Sequence, residues 1–326
     1  MKQALIKEKI FPVNIELESV QCCICGADES SEVAKGQDYE YGSIAGTFTY
    51  HQCNQCKHLY LNPRPTLNSG PALYNTYYTS NKDSNSVKRN SLVSSLAKKI
   101  MFNRIKPLLE YIPQGGSVLE IGFGTGEVLS ALRENRKDIN ICGVDIKINT
   151  ETKQLLNKKE ITTYENSFEA FKKEDLKADL IIMNQLIEHF WDVDGSIKKI
   201  KDLLNKNGRV IIATPNSKGY DRQLFMRGAW GQYYWPRHMN LFNSKSLAKL
   251  FKTHGLEVEK VTYLVCPVGW AQTLKYLTYR LGFHKLSSRI NTYNPIVLGI
   301  FTIIDLLAKT LRLQTSNMQM VFKKQQ

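Results

Sequence analysis

Between Ser117 and Glu127 the chain reads Ser-Val-Leu-Glu-Ile-Gly-Phe-Gly-Thr-Gly-Glu, a short apolar run that breaks into three glycines at alternate positions before helix-forming residues resume. Strand, tight turn and helix in that order open a βαβ unit, and glycines at 122, 124 and 126 let the backbone turn sharply and let a ligand approach with no Cβ in the way. The spacing is G-x-G-x-G, whereas a pyrophosphate seat over a helix N-terminus uses G-x-G-x-x-G. Glu120 closes the strand with no basic residue nearby, which suits a cationic ligand without phosphate better than a pyrophosphate. About twenty residues further on, Cys142-Gly143-Val144-Asp145 ends the next apolar run in a carboxylate, placed to accept hydrogen bonds from both hydroxyls of a ribose.

The apolar pattern around this turn repeats at the pace of βαβ units. Short runs at Ser117–Ile121, Ile139–Ile146, Ile161–Tyr164, Asp179–Met183 and Arg209–Ala213 alternate with helical periodicities, which predicts an α/β fold with a parallel sheet and helices on both faces. Leu92, Leu96, Ile100, Ile105, Leu108 and Leu109 mark an amphipathic helix leading into it. Leu256–Val265 and Met318–Phe322 read as two further strands, separated by a mostly helical insert at about 265–315.

Five of the seven cysteines lie between Cys22 and Cys56, in a chain that otherwise reads as cytoplasmic. Cys22-x-x-Cys25 and Cys53-x-x-Cys56 form two knuckles that present four thiolates to one ion, and zinc prefers tetrahedral sulfur ligation without redox chemistry. Cys23 is out of register, and it, His51 and His58 remain alternatives in a distorted site. A four-cysteine site leaves no open position, so its zinc is expected to be structural. The knuckles and the Asn62-Pro63-Arg64-Pro65 turn outline a module at 1–66, followed by a tyrosine-bearing linker or lid at 67–91 and a main domain at 92–326.

The net charge is +14, from 44 Lys and Arg against 30 Asp and Glu, and this excess draws the chain toward anions without choosing among phosphate esters, nucleic acid and acidic lipid. The first ten residues alternate charge with short apolar pieces, unlike a secretion signal. The apolar stretches Val261–Leu274 and Ile290–Ile304 both fall short of the roughly twenty residues needed to span a bilayer.

From Leu92 to Lys260 these features, in order, resemble class I S-adenosylmethionine-dependent methyltransferases. The resemblance rests on the Glu120–Gly126 loop, Asp145, the fourth-strand ending Asn184-Gln185-Leu186-Ile187-Glu188-His189 and the fifth-strand ending Thr214-Pro215-Asn216. The Glu-His pair is similar to that of ubiquinone-pathway O-methyltransferases and many glycan methyltransferases, and the knuckles followed by Leu61-Asn62-Pro63-Arg64-Pro65 are similar to the zinc ribbon of sugar methyltransferases. The resemblance implies a Rossmann-like domain in which Gly122, Gly124 and Gly126 line the methionine moiety of S-adenosylmethionine, with Glu120 a further cofactor contact. It places Asp145 on the ribose, Ser167 or Phe168 near adenine, and Gln185 close to the methionine end. It does not extend to nucleic-acid methylases: an amino-directed enzyme carries Pro-Pro and an aromatic where this chain has Gln185-Leu186, and Val265-Cys266-Pro267 reverses the Pro-Cys order of cytosine-C5 transfer.

A hydroxyl acceptor profits from a base as its proton leaves. His189 follows the fourth strand, at the sheet edge where open α/β folds bind ligands, and His238 lies in the aromatic segment Trp230-Gly231-Gln232-Tyr233-Tyr234-Trp235-Pro236-Arg237-His238. Either is a candidate base, and Arg237 beside it a candidate anion contact. The expected function is methyl transfer from S-adenosylmethionine to a hydroxyl of a sugar or glycan precursor, with a quinone-type or other lipid-pathway phenol as the alternative acceptor. The competing class is a non-catalytic, zinc-containing nucleic-acid-binding protein, which the charge favours and the intact glycine loop disfavours. Expected partners are a small-molecule or glycan acceptor, with lipid linkage, peripheral membrane contact and a homodimer left open by the apolar helical patterns and basic residues of the insert.

Overall fold

The computed structural model of the chain describes residues 12–74, 91–173 and 175–325. Tyr77, Tyr78 and most of the expected linker lie outside the described residues. Two compact units divide the chain. One comprises Met1–Val87, Tyr220–Leu241 and Cys266–Arg312; the other comprises Lys88–Gly219, Phe242–Val265 and Leu313–Gln326. Tyr220–Leu241 and Cys266–Arg312, which the sequence reading leaves inside the 92–326 domain, therefore share a unit with the cysteines.

The second unit is a seven-stranded sheet. Its strands are β1 (Ser117–Ile121), β2 (Asn140–Asp145), β3 (Thr162–Glu165), β4 (Ala178–Asn184), β5 (Leu204–Pro215), β6 (Leu256–Leu264) and β7 (Asn317–Lys324). Their order is β3-β2-β1-β4-β5-β7-β6. The first five are parallel, and β7 runs antiparallel between β5 and β6. Burial on both faces explains why the central strands read as unbroken apolar runs: Leu180, Ile181, Ile182 and Met183 of β4 are all buried. Val118, Leu129, Ile141, Leu180, Ile182 and Ile211 share one core cluster with Ile105 and Leu108 of the Ser91–Leu109 helix. Truncating a leucine such as Leu180 to alanine there costs about 2–5 kcal/mol.

Strand order reverses at β1, which pairs with β2 on one side and β4 on the other. In open α/β sheets the crevice at the carboxyl ends of such strands is where ligands bind. Local sequence fixes the helix starts around it: Asn149 caps Thr150–Lys158, Asp192 caps Val193–Leu203, and Asn243 with Ser246 forms a capping box on Ser244–Thr253.

The first unit is built on an antiparallel sheet in the order Asn240–Leu241, Leu59–Leu61, Phe48–Cys53, Ser30–Gly36. Tyr50, Tyr233 and Trp235 pack with ring centroids 4.6–5.0 Å apart. Gly36 belongs to this packing, since a Cβ there would lie 2.3 Å from the Trp235 indole. Helices Pro267–Arg280, His284–Ser287 and Pro295–Thr310 complete the unit. Buried Asp305 ties them together, accepting hydrogen bonds from Tyr220 Oη, Trp270 Nε1 and the Cys266 N–H.

Candidate active site and metal centre

The glycine turn leaves β1 with all three glycines at positive φ. Gly122 donates its N–H to the Val144 carbonyl at 2.7 Å, and a Cβ on it would press into Leu186 at 2.9 Å. Gly124, at φ +53°, stands at the tip, where an added Cβ would meet nothing within 4 Å. A side chain is excluded there by backbone conformation, and the open space above it is the approach a ligand would use. Gly126 is the N-cap of the Glu127–Asn135 helix.

Asp145 closes β2 beside this turn. Its Oδ2 accepts from the Gly124 N–H at 2.7 Å and its Oδ1 from the Lys147 N–H at 3.3 Å, while burial raises its pKa against the effect of these bonds. Glu120 lies beneath the turn, buried, with Oε1 accepting from Asn184 Nδ2 at 3.2 Å. Its Oε2 is buried and has no hydrogen-bond partner among the described residues. Burial pushes the Glu120 carboxyl up to about 8. An unsatisfied buried carboxylate oxygen next to an open glycine turn fits a cationic ligand group, whose charge and N–H donors would satisfy it.

Gln185 follows β4 in the left-handed region at φ +50°, its N–H bonded to Ala213 at 2.7 Å and its Nε2 to Asn317 Oδ1 at 3.0 Å. That conformation turns the chain at the sheet edge into the short Ile187–His189 helical turn. Buried Glu188 accepts from Thr214 Oγ1 at 2.9 Å, and burial pushes its carboxyl up to about 8. His189 is half-buried at the end of the turn. Ser167 Oγ accepts from the Ala170 N–H at 3.2 Å. Phe168 is buried, stacked on Phe190 with centroids 6.0 Å apart and with Lys199 Nζ 5.2 Å from its ring centroid. Two residues escaped the sequence reading. Asn184 orients Glu120, and Ile146 is an exposed apolar side chain directly after Asp145.

In the other unit His238 is buried and its Nδ1 lies 2.8 Å from the Gln232 carbonyl. A carbonyl only accepts, so Nδ1 carries a proton. Arg237 corrects an expectation. Its side chain is fully buried, bidentate to Asp38 at 2.9 and 3.1 Å, bonded to the Leu73 and Trp235 carbonyls, and 4.6 Å from the Tyr41 ring centroid. A guanidinium so enclosed is a structural cation rather than an anion contact.

In that same unit Cys22, Cys25, Cys53 and Cys56 place their sulfurs within 4.8 Å of one another. Cys22 and Cys56 approach to 3.4 Å and Cys25 and Cys53 to 3.5 Å. Tetrahedral ligation at about 2.3 Å per thiolate implies sulfurs about 3.8 Å apart, so the cluster fits one zinc. Each knuckle is closed by its own backbone, Gly26 N–H to Cys22 and Lys57 N–H to Cys53. Cys23 instead donates to Asn240 at 3.2 Å beside buried His58, and His51 bonds Ser30, so none of the three joins the cluster.

A family model described as a methyltransferase domain matches residues 94–261, just over half of the chain. The chain belongs to the methyltransferase-domain family. Its seven-stranded sheet, parallel over five strands, is the Rossmann-like sheet of a methyltransferase domain. No curated protein matches it. Among solved structures, the methyltransferase is similar to the [4+2]-cyclase SpnF at 13% identity, covering 79% of this chain and 94% of that one with a TM-score of 0.48. It is also similar to the 1,6-didemethyltoxoflavin-N1-methyltransferase of Burkholderia thailandensis, with bound S-adenosylhomocysteine, at 13% identity, 84% and 98% coverage and a TM-score of 0.47. For coclaurine N-methyltransferase, bound to N-methylheliamine and S-adenosylhomocysteine, the values are 15%, 73%, 75% and 0.46.

Proposed function

We propose that this methyltransferase moves the methyl group of S-adenosylmethionine onto a hydroxyl of a sugar or glycan precursor. The observation that carries the cofactor half is the pairing of Asp145 with the tip of the glycine turn, directly beside the reversal of strand order. Asp145 would hold the ribose hydroxyls, releasing Gly124 as it does so, and Gly122, Gly124 and Gly126 would line the methionine moiety. Glu120 would take the positive charge at that end, with Gln185 at the rim. Ser167 and exposed Ile146 suit the adenine side better than Phe168, whose ring is already stacked.

Bound S-adenosylmethionine supplies an electrophilic methyl carbon on a sulfonium. The chain's part is to align the acceptor oxygen with that carbon and to remove the hydroxyl proton. His189, half-buried after β4, is one candidate for the proton, and His238, oriented by its Nδ1 bond to the Gln232 carbonyl, is the other. The sugar acceptor is supported by the likeness of the knuckles and the Asn62-Pro63-Arg64-Pro65 turn to the ribbon of sugar methyltransferases. Cys22, Cys25, Cys53 and Cys56 would hold a structural zinc.

The test is S-adenosylhomocysteine formation with sugar nucleotides, lipid-linked sugars and simple phenols offered in parallel. Turnover confined to sugars supports the reading, and turnover confined to phenols replaces it.

A further inference from the structure

The Pro295–Thr310 helix turns a broad apolar surface outward. Ile296, Ile300, Ile303 and Leu307 recur at helical spacing and are 75, 54, 60 and 58% exposed, and the row continues to Leu311 at 72%. Leu281, Phe283, Leu286 and Tyr293, in the preceding turns of the same unit, are exposed as well. Scattered exposed leucines are ordinary, but a row of this length is not. At sixteen residues the helix is about 24 Å long, and among the described residues no helix is long and apolar enough to cross a membrane.

The charge on this segment has one sign. Within 266–313 the basic residues are Lys275, Arg280, Lys285, Arg289, Lys309 and Arg312, of which all but Lys275 are exposed, and the sole acid is Asp305, which is buried. In the same unit an open groove of about 370 Å³ is lined by Lys35, Tyr39, Tyr279, Arg280 and His284.

We propose that this face docks on an anionic lipid leaflet. The Pro295–Thr310 helix lies in the plane of the interface with Ile296, Ile300, Ile303 and Leu307 among the acyl chains, and Lys285, Arg289, Lys309 and Arg312 reach the headgroups. A second copy of the chain is the poorer occupant, because two-fold pairing would bring two rims of like charge together with no exposed acid on this segment to meet them.

The test is co-sedimentation of the full chain with vesicles of phosphatidylcholine alone and of phosphatidylcholine with phosphatidylglycerol, at low and high salt. Ile300→Glu with Ile303→Glu removes the apolar contact, and Lys309→Gln with Arg312→Gln removes charge; circular dichroism checks the fold of each. We expect binding to the anionic vesicles that weakens with salt, is lost in the glutamate variant, and falls by about tenfold or more in the glutamine variant. Recovery of the unaltered chain in the supernatant with anionic vesicles overturns the proposal. So does binding that both folded variants retain. Light scattering that shows a dimer broken by the glutamate variant, without vesicle binding, assigns the face to a second copy and also overturns it.

Discussion

The backbone N–H of Gly124 donates to Asp145 Oδ2 across 2.7 Å, joining the tip of the glycine turn to the carboxylate that ends β2. Because the proposed role of that carboxylate is to hold the ribose diol, Asp145→Ala should weaken S-adenosylmethionine binding by about 1.5–3 kcal/mol, the scale of hydrogen bonds to a charged group. Calorimetry on the two proteins measures this directly, and equal affinities would remove Asp145 from the cofactor site.

Glu120 makes stability depend on pH. Burial raises its folded value from 4.5 to about 8, so between those limits the folded chain holds a proton that the unfolded chain has lost. Stability contributed by the protonated form is present at acid pH and declines as pH rises toward about 8. Glu120→Gln keeps the shape without the proton. Urea midpoints taken across this range should decline less steeply in the variant, and parallel profiles would place the titration elsewhere.

A base acting on the acceptor hydroxyl contributes about two to four orders of magnitude to turnover. His189→Ala or His238→Ala should show a loss on that scale with S-adenosylmethionine affinity kept. Losses of less than about tenfold in both would leave transfer to positioning alone.

Elemental analysis should find about one zinc per chain, lost in Cys53→Ser, with a chelator lowering the melting temperature of the unaltered protein. A metal-free chain that melts at the same temperature would reduce the cluster to four packed thiols.

Asp38 and Arg237 form a fully buried pair whose loss on one side leaves a charge uncompensated, so Asp38→Ala should cost about 3–5 kcal/mol. Burial alone would raise the Asp38 pKa, but the hydrogen bonds and charge of Arg237 outweigh it and the net shift is downward. The stabilisation is therefore complete above the ordinary aspartate value and is lost as pH falls through the lowered one. Acid unfolding of Asp38→Asn should lack that component, and identical acid limbs would contradict the assignment.

What the sequence determined by itself is what depends on neighbours in the chain. Short apolar runs marked β1 to β7 to within a few residues, except that β5 begins at Leu204 rather than Arg209. Glycine spacing marked the turn, and the two C-x-x-C knuckles marked four sulfurs that converge. Tertiary structure decided what depends on distant partners. Arg237 is indistinguishable in sequence from a surface arginine until Asp38, 199 positions away, closes around it. Cys23 is set apart from the cluster by Asn240, 217 positions on, and Phe168 is stacked on Phe190, 22 positions on. The same apolar periodicity that predicted the Pro295–Thr310 helix is compatible with burial or exposure, because periodicity records which residues share a face and not whether anything covers it.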